Sequence, residues 1–178
     1  GSVRKAEELG SKKVVAIKTL YQGTGEDFEK EIDALKRISH PNIVKLLNCG
    51  TRETELGNKF CLVMEYIEGK NLKDYCRGYQ QNSYIVIGLI IQIARAMFYV
   101  HEQNIIHRDL KPANILANEN NVYVLDFGVS KALRAGQTNF SAMTAHTGTP
   151  AYMSPEQIKL VNCDHRCDLW ALGVILYE

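Results

Sequence analysis

The sequence predicts an α+β chain in which a strand-rich opening gives way to a helix-rich remainder. Three observations carry that prediction. Short β-branched runs separated by polar turns occupy the chain up to Tyr66, an apolar stretch of helical length begins at Tyr84, and the closing run Leu169 to Tyr177 is apolar on every side. With 178 residues, 46% of them hydrophobic and 23% charged, the chain has the composition of a packed globular protein. Its length suits one large domain or two small ones. The 13 glycines and 4 prolines exclude collagen-like or low-complexity regions.

Taken in order, Val14-Val15-Ala16-Ile17 and Thr19-Leu20 form an extended run that Lys18 interrupts with a charge requiring a partner. Thr24 to Asp27 has the look of a helix start, and Phe28, Ile32, Leu35 and Ile38 then recur at helical spacing until His40-Pro41 ends the pattern. Ile43 to Leu47 and Phe60 to Tyr66 are predicted strands, joined by a polar connection that contains Gly50 and Gly57. Tyr84 to Glu102 is one long helix, Asn118 to Asn121 a turn, and Tyr123 to Leu125 a short strand. Ala132 to Pro150 has no sustained period and is long for a loop, a length that usually carries function. Leu169 to Tyr177 is expected to be a helix enclosed by other elements.

Bulk properties exclude several functions. A net charge of +1, from 21 Lys and Arg against 20 Asp and Glu, provides no field for nucleic acid or an anionic membrane. Five cysteines are scattered and odd in number, which predicts a reducing, cytoplasmic setting rather than a secreted disulfide scaffold. Cys163 and Cys167 lack the second ligand pair of a structural zinc site. Tyr84 to Val100 carries Gln92 and Arg95 and is read as a buried helix, so no membrane segment is expected in this chain; a tether outside it stays open.

The chemistry-bearing residues are concentrated in His107-Arg108-Asp109-Leu110-Lys111-Pro112-Ala113-Asn114 and in Asp126-Phe127-Gly128. Singly, each is an ordinary turn. Together with Val15-Ala16-Ile17-Lys18 upstream and Ser154-Pro155-Glu156 downstream, the ordered set resembles the eukaryotic-type protein kinase family, serine/threonine class, over the whole chain. The resemblance implies a two-lobed fold with a β-rich small lobe and hinge at 1–67 and an α-rich large lobe at 68–178. It further implies transfer of the ATP γ-phosphate to Ser or Thr hydroxyls of protein substrates, with Mg²⁺, for which Mn²⁺ substitutes.

By that resemblance Lys18 holds the α- and β-phosphates and Glu31 aims it, Asp109 accepts the substrate hydroxyl proton, and Lys111 assists. Asn114 and Asp126 are the implied metal ligands, oxygen donors of the kind a hard cation takes. Val3, Ala16 and Leu116 match the apolar contacts of adenine, Met64 the residue gating the back pocket, and Glu65 and Ile67 the hinge whose backbone holds the adenine edge. Leu35, Leu46, His107 and Phe127 match a stacked set between the lobes, anchored by Asp168. Arg108 marks relatives in which a phosphate on the activation loop pairs with this arginine, and Ser141, Thr144, Thr147 and Thr149 are the candidate regulatory hydroxyls. The phosphate would come from an upstream kinase or from trans-autophosphorylation.

The family's Gly-x-Gly-x-x-Gly loop is missing, apart from Gly1, and nothing after Glu178 encloses the last helix. A kinase domain truncated at both ends is therefore expected. The competing expectation is a catalytically silent kinase-like fragment that acts by binding. A small-molecule kinase is disfavoured by Gly148 to Glu156, which resembles a polypeptide-receiving segment.

Overall fold

The computed structural model describes residues 2–20, 32–33, 35–53, 57, 59–79, 83–126, 150–159, 161 and 163–178. Four of these segments are the antiparallel strands β1 (Ser2–Glu7), β2 (Val14–Leu20), β3 (Leu46–Arg52) and β4 (Lys59–Glu65), arranged in the order β1-β2-β4-β3. β2 is the run singled out by its β-branched residues. β1 gives no such signal, because all its residues but one are exposed and no apolar face alternates along it. It is an edge strand held by register with β2 and by a tight turn in which Lys12 adopts φ 62°.

The strand expected at Ile43 to Leu47 is displaced, beginning at Leu46 and running to Arg52. Ile43 is engaged elsewhere. It forms an isolated parallel bridge to Val124, with Val44 N–H donating to Val124 O at 3.0 Å and Val124 N–H to Asn42 O at 2.8 Å. This backbone bridge is the seam between the two halves of the chain. Asn42 reinforces it, since its amide donates to Gln92 Oε1 and to Val122 O at 2.8 and 2.9 Å. Residues at 32–33 and 35–37 are helical, and Ile32, Leu35 and Ile38 face the core as their spacing requires.

A second sheet, β5 (Lys70–Asn71), β6 (Ile115–Asn118) and β7 (Asn121–Val124), lies beyond the seam. Glu119 and Asn120 close the β6–β7 hairpin at positive φ, 43° and 67°, which suits a two-residue primed turn and fits the turn read at Asn118 to Asn121. Gly69 leads into β5 where a Cβ would stand 2.8 Å from Ala117 O, so only glycine permits this approach.

The α-helices with defined bounds among the described residues are α1 (Leu72–Cys76), α2 (Ser83–His101), the short α3 (Pro155–Ile158) and α4 (Arg166–Tyr177). The 19-residue α2 is long and apolar enough to cross a membrane by those measures alone. Leu89, Ile93, Ala96, Met97 and Val100, at 0–1% exposure, nevertheless line one face of it and join a core cluster that reaches Leu20 and Leu62 in the first sheet. α4 is the helix expected at the closing apolar run. It buries Cys167, Asp168, Ala171 and Ile175, whereas Leu169, Trp170, Leu176 and Tyr177 are half exposed or more.

Candidate active site

The site is built upward from Asp168, in the first turn of α4 and 1% exposed. Oδ2 accepts the backbone N–H of His107 and contacts His101 Nε2, each at 2.8 Å, and Oδ1 accepts the N–H of Arg108 at 2.8 Å. Burial alone raises a carboxyl pKa. Here the hydrogen bond from His101 and the two backbone donors outweigh it, and the net shift is downward, so the carboxylate stays charged.

These bonds fix the loop that follows. Fully buried His107 reaches Leu125 O through Nε2 at 2.7 Å, and its Nδ1 accepts Asp109 N–H at 3.2 Å. One nitrogen thus faces a carbonyl and the other an N–H, the pattern of a neutral ring carrying its proton on Nε2. Burial holds its pKa below the ordinary histidine value, against the pull of Asp168. Arg108 takes φ 62°, a left-handed conformation that costs a non-glycine residue about 1–2 kcal/mol. It is held there from both sides, its N–H on Asp168 and its carbonyl accepting Gln157 Nε2 at 2.9 Å.

Asp109 emerges from this frame with a side chain 27% exposed. Lys111 Nζ lies 3.1 Å from its Oδ2. Asn114 Nδ2, five residues on, donates to Asp109 O at 2.8 Å and to Oδ2 at 3.0 Å. Both amide donations are directed to Asp109, and Asn114 Oδ1 makes neither of them. The Asn114 carbonyl in turn accepts Leu125 N–H at 2.9 Å, which brings Asp126 beside this loop.

The first sheet contributes from the other side. Directly opposed residues of an antiparallel pair share a face, so the register places Val3, Ala16, Lys18, Leu62 and Met64 on one face. From it Lys18 reaches Asp126 Oδ1 at 2.8 Å. Lys18 is 9% exposed, so its charge needs this partner. Asp126 stands at φ 59°, a second left-handed non-glycine residue at the site. Behind the pair is a cavity of about 40 Å³ bounded by Leu35, Ile38, Ile43, Leu46 and Met64.

The structure thus brings Lys18, Asp126, Asn114, Asp109 and Lys111 into one connected region, with Met64 behind them. Val3 shares the face of Lys18 but is 58% exposed, at the sheet's edge. Ala16 and Ile67 are half-buried, Glu65 is exposed at the end of β4, and Leu116 lies half-buried on β6. Lys5 Nζ stands 4.5 Å over the ring of Tyr66 beside these hinge residues. Glu31, Phe127, Ser141, Thr144, Thr147 and Thr149 lie outside the described residues.

Sequence reasoning passed over two positioning residues. His101 was read only as part of a helix, and its contact with Asp168 spans 67 residues of chain. Gln157 had a local signal: Ser154 caps α3 and Gln157 completes a reciprocal capping box with it. Its second bond, to Arg108 O, had none.

The donor set suits a hard divalent cation. A carboxylate on Asp126 and an amide oxygen on Asn114 are the oxygen ligands that Mg²⁺ selects. Among the described residues, no thiol or imidazole is grouped with them as a metal ligand.

Comparison with known proteins agrees with the fold. A protein kinase domain model matches residues 1–178. A probable serine/threonine-protein kinase of Clostridium perfringens is 41% identical over 157 residues, covering 85% of this chain and 22% of that protein. Serine/threonine-protein kinase pkn3 of Myxococcus xanthus is 38% identical over 192 residues, covering all of this chain and 35% of its own length. Human serine/threonine-protein kinase Nek11 is 34% identical over 180 residues, covering 98% and 27% respectively. The chain belongs to the protein kinase domain family, with the serine/threonine kinases among its relatives, and spans about a fifth to a third of the length of the three relatives described above.

Proposed function

We propose that the protein transfers the γ-phosphate of ATP to serine and threonine hydroxyls of protein substrates. The observation that carries this reading is the ion pair of Lys18 with Asp126 at 2.8 Å, closing the two sheets over a loop that presents Asp109, Lys111 and Asn114. Phosphoryl transfer asks for positioning and charge neutralisation more than for covalent chemistry, and this arrangement supports both. Lys18 is a cation on a rigid strand for phosphate oxygens. Asp109 orients the acceptor hydroxyl and takes up its proton, and Lys111 next to it offsets charge on the transferring group. Asp126 and Asn114 would hold Mg²⁺, which supplies electrostatic stabilisation of the phosphate oxygens.

Control by phosphorylation between residues 141 and 149 belongs to the same proposal. Arg108 supports it, because a backbone fixed at both N–H and carbonyl gives its guanidinium a set base from which to bind a phosphorylated loop residue. We place the protein in a reducing intracellular compartment, on the strength of five free cysteines.

Phosphate transfer from labelled ATP to a generic protein substrate tests the reading in the intact protein. Asp109→Asn is expected to lower kcat by about 10²–10⁴-fold with nucleotide binding kept. A wild-type protein that binds ATP but transfers nothing, even after phosphorylation between residues 141 and 149, would establish the silent binding module instead.

A further inference from the structure

Lys5 is an exposed cation that the chemistry proposed above does not use, and it sits beside the site. The strand registers put it on the working face of the first sheet: Lys5 lies opposite Ala16 and Ala16 opposite Met64, the next row of that face after Val3, Lys18 and Leu62. Its Nζ stands 4.5 Å over the ring of half-buried Tyr66, the residue that follows β4, within the range of a cation–π contact. β2 lies between β1 and β4 in the sheet, so among the described residues this contact links two parts of the chain that no strand pairing joins.

A ligand whose phosphates meet Lys18 and whose length runs along β2 comes next to Ala16, two residues and about 7 Å farther on. The surface beside it is apolar: Ala16 is half-buried, and Val3 leaves 58% of its surface open. A charged end at Lys18 and a flat, apolar end on this stretch is the division of a purine nucleotide.

We propose that Lys5 is a positioning residue for nucleotide binding, its contact with Tyr66 being a clasp that holds edge strand β1 at a fixed height over the base; the nucleotide it names rests on the kinase reading. β1 pairs with one strand only and all its residues but one are exposed, so few contacts set its tilt relative to Tyr66. Opening the clasp lets β1 leave the position in which Val3 covers the base, and affinity falls with the fraction of molecules so displaced. An exposed cation–π contact corresponds to an about two- to fivefold change in that population. The clasp acts on occupancy of the site and not on Asp109, so the bound complex reacts at an unchanged rate.

The test measures dissociation constants of the intact protein for adenosine and for ATP with Mg²⁺ by calorimetry, beside initial rates of phosphate transfer. Lys5→Met keeps the aliphatic stem and removes the charge. It is expected to raise both dissociation constants and the KM for ATP by about two- to fivefold, with kcat unchanged. Lys5→Arg keeps a cation for the ring and should bind like the wild type. In a Tyr66→Leu background, itself weakened, Lys5→Met should add no further loss. Unchanged dissociation constants in Lys5→Met would overturn the proposal, and so would an equal loss with and without the Tyr66 ring, or Lys5→Arg binding as weakly as Lys5→Met. A loss confined to ATP and absent with adenosine would overturn it too, because Lys5 would then act on the phosphates directly. A wild-type protein that binds both ligands but transfers nothing removes the transfer reading, and the clasp still stands or falls on the dissociation constants. Wild-type protein that binds neither ligand overturns both.

Discussion

Asp109 and Asp126 have side chains of nearly equal exposure, 27% and 25%, yet they are held in contrasting ways. Around Asp109 the backbone is bonded at successive residues: His107 and Arg108 donate to Asp168, Asp109 donates to the His107 ring, and its carbonyl accepts from Asn114. All those partners belong to the second half of the chain. Asp126 has a left-handed backbone and an ion pair with Lys18, a residue of the first sheet. The Asp109 side of the site is thus fixed within one body, and the Asp126 side depends on how the two sheets meet. For the proposed phosphoryl transfer that division is useful, because a proton acceptor must stay placed while a nucleotide enters and leaves between the sheets.

The largest effect should come from the anchor of the fixed side. Asp168→Ala leaves two backbone N–H groups and the His101 ring without their acceptor, at about 1–3 kcal/mol for each buried group. We expect both stability and activity to fall in the intact protein, with amide exchange at His107 and Arg108 accelerated ahead of global unfolding. Unchanged exchange at those two amides would show that the loop holds itself.

Lys18→Met probes the other side and should separate the two properties. Methionine fills much the same volume, and the Asp126 carboxylate left behind is 25% exposed and reaches water, which limits the cost of removing one member of a largely buried pair. Stability should fall by about 1–3 kcal/mol, less than for Asp168→Ala with its three orphaned donors, while kcat falls about 10²–10³-fold through loss of the proposed phosphate cation. A thermal shift as large as that of Asp168→Ala would mean that the ion pair holds the sheets together, and the contrast with Asp109 would fail.

Legibility in the sequence follows the same division. The convergence of Lys18, Asp109, Asn114 and Asp126 on one region was readable because each is embedded in a local motif of fixed spacing, and β2, α2 and the β6–β7 turn because their periods or turn residues are local. What escaped was non-local. The exposed edge β1 has no hydrophobic alternation, and β3 begins late because Ile43 pairs with Val124 in the other half. His101 and Gln157 owe their roles to contacts across 67 and 49 residues, for which a single sequence has no period or motif. The apolar run of α4 was legible as a helix seeking cover, and Leu169, Trp170, Leu176 and Tyr177 show the exposed side that the same reading expected.

The smallest effect concerns protons on the fixed side. His107 is buried with its pKa depressed, so below about pH 6.5 the unfolded chain binds a proton that the folded one refuses. Stability from this residue is present above that pH and declines as pH falls toward the folded pKa, by at most about 1.4 kcal/mol per pH unit. His40 is depressed by partial burial and contributes with the same sign, so the wild-type slope belongs to both. The difference in slope between wild type and His107→Gln isolates His107, because glutamine cannot titrate there. Thermal unfolding of the domain between pH 7 and pH 5 should show a shallower decline in the variant, though from a lower starting point since the bonds to Leu125 O and Asp109 N are disturbed. Equal slopes would mean that the ring already accepts its second proton in the folded state. Its Nδ1 could then not accept Asp109 N–H, and the loop would be held by Asp168 and Asn114 alone.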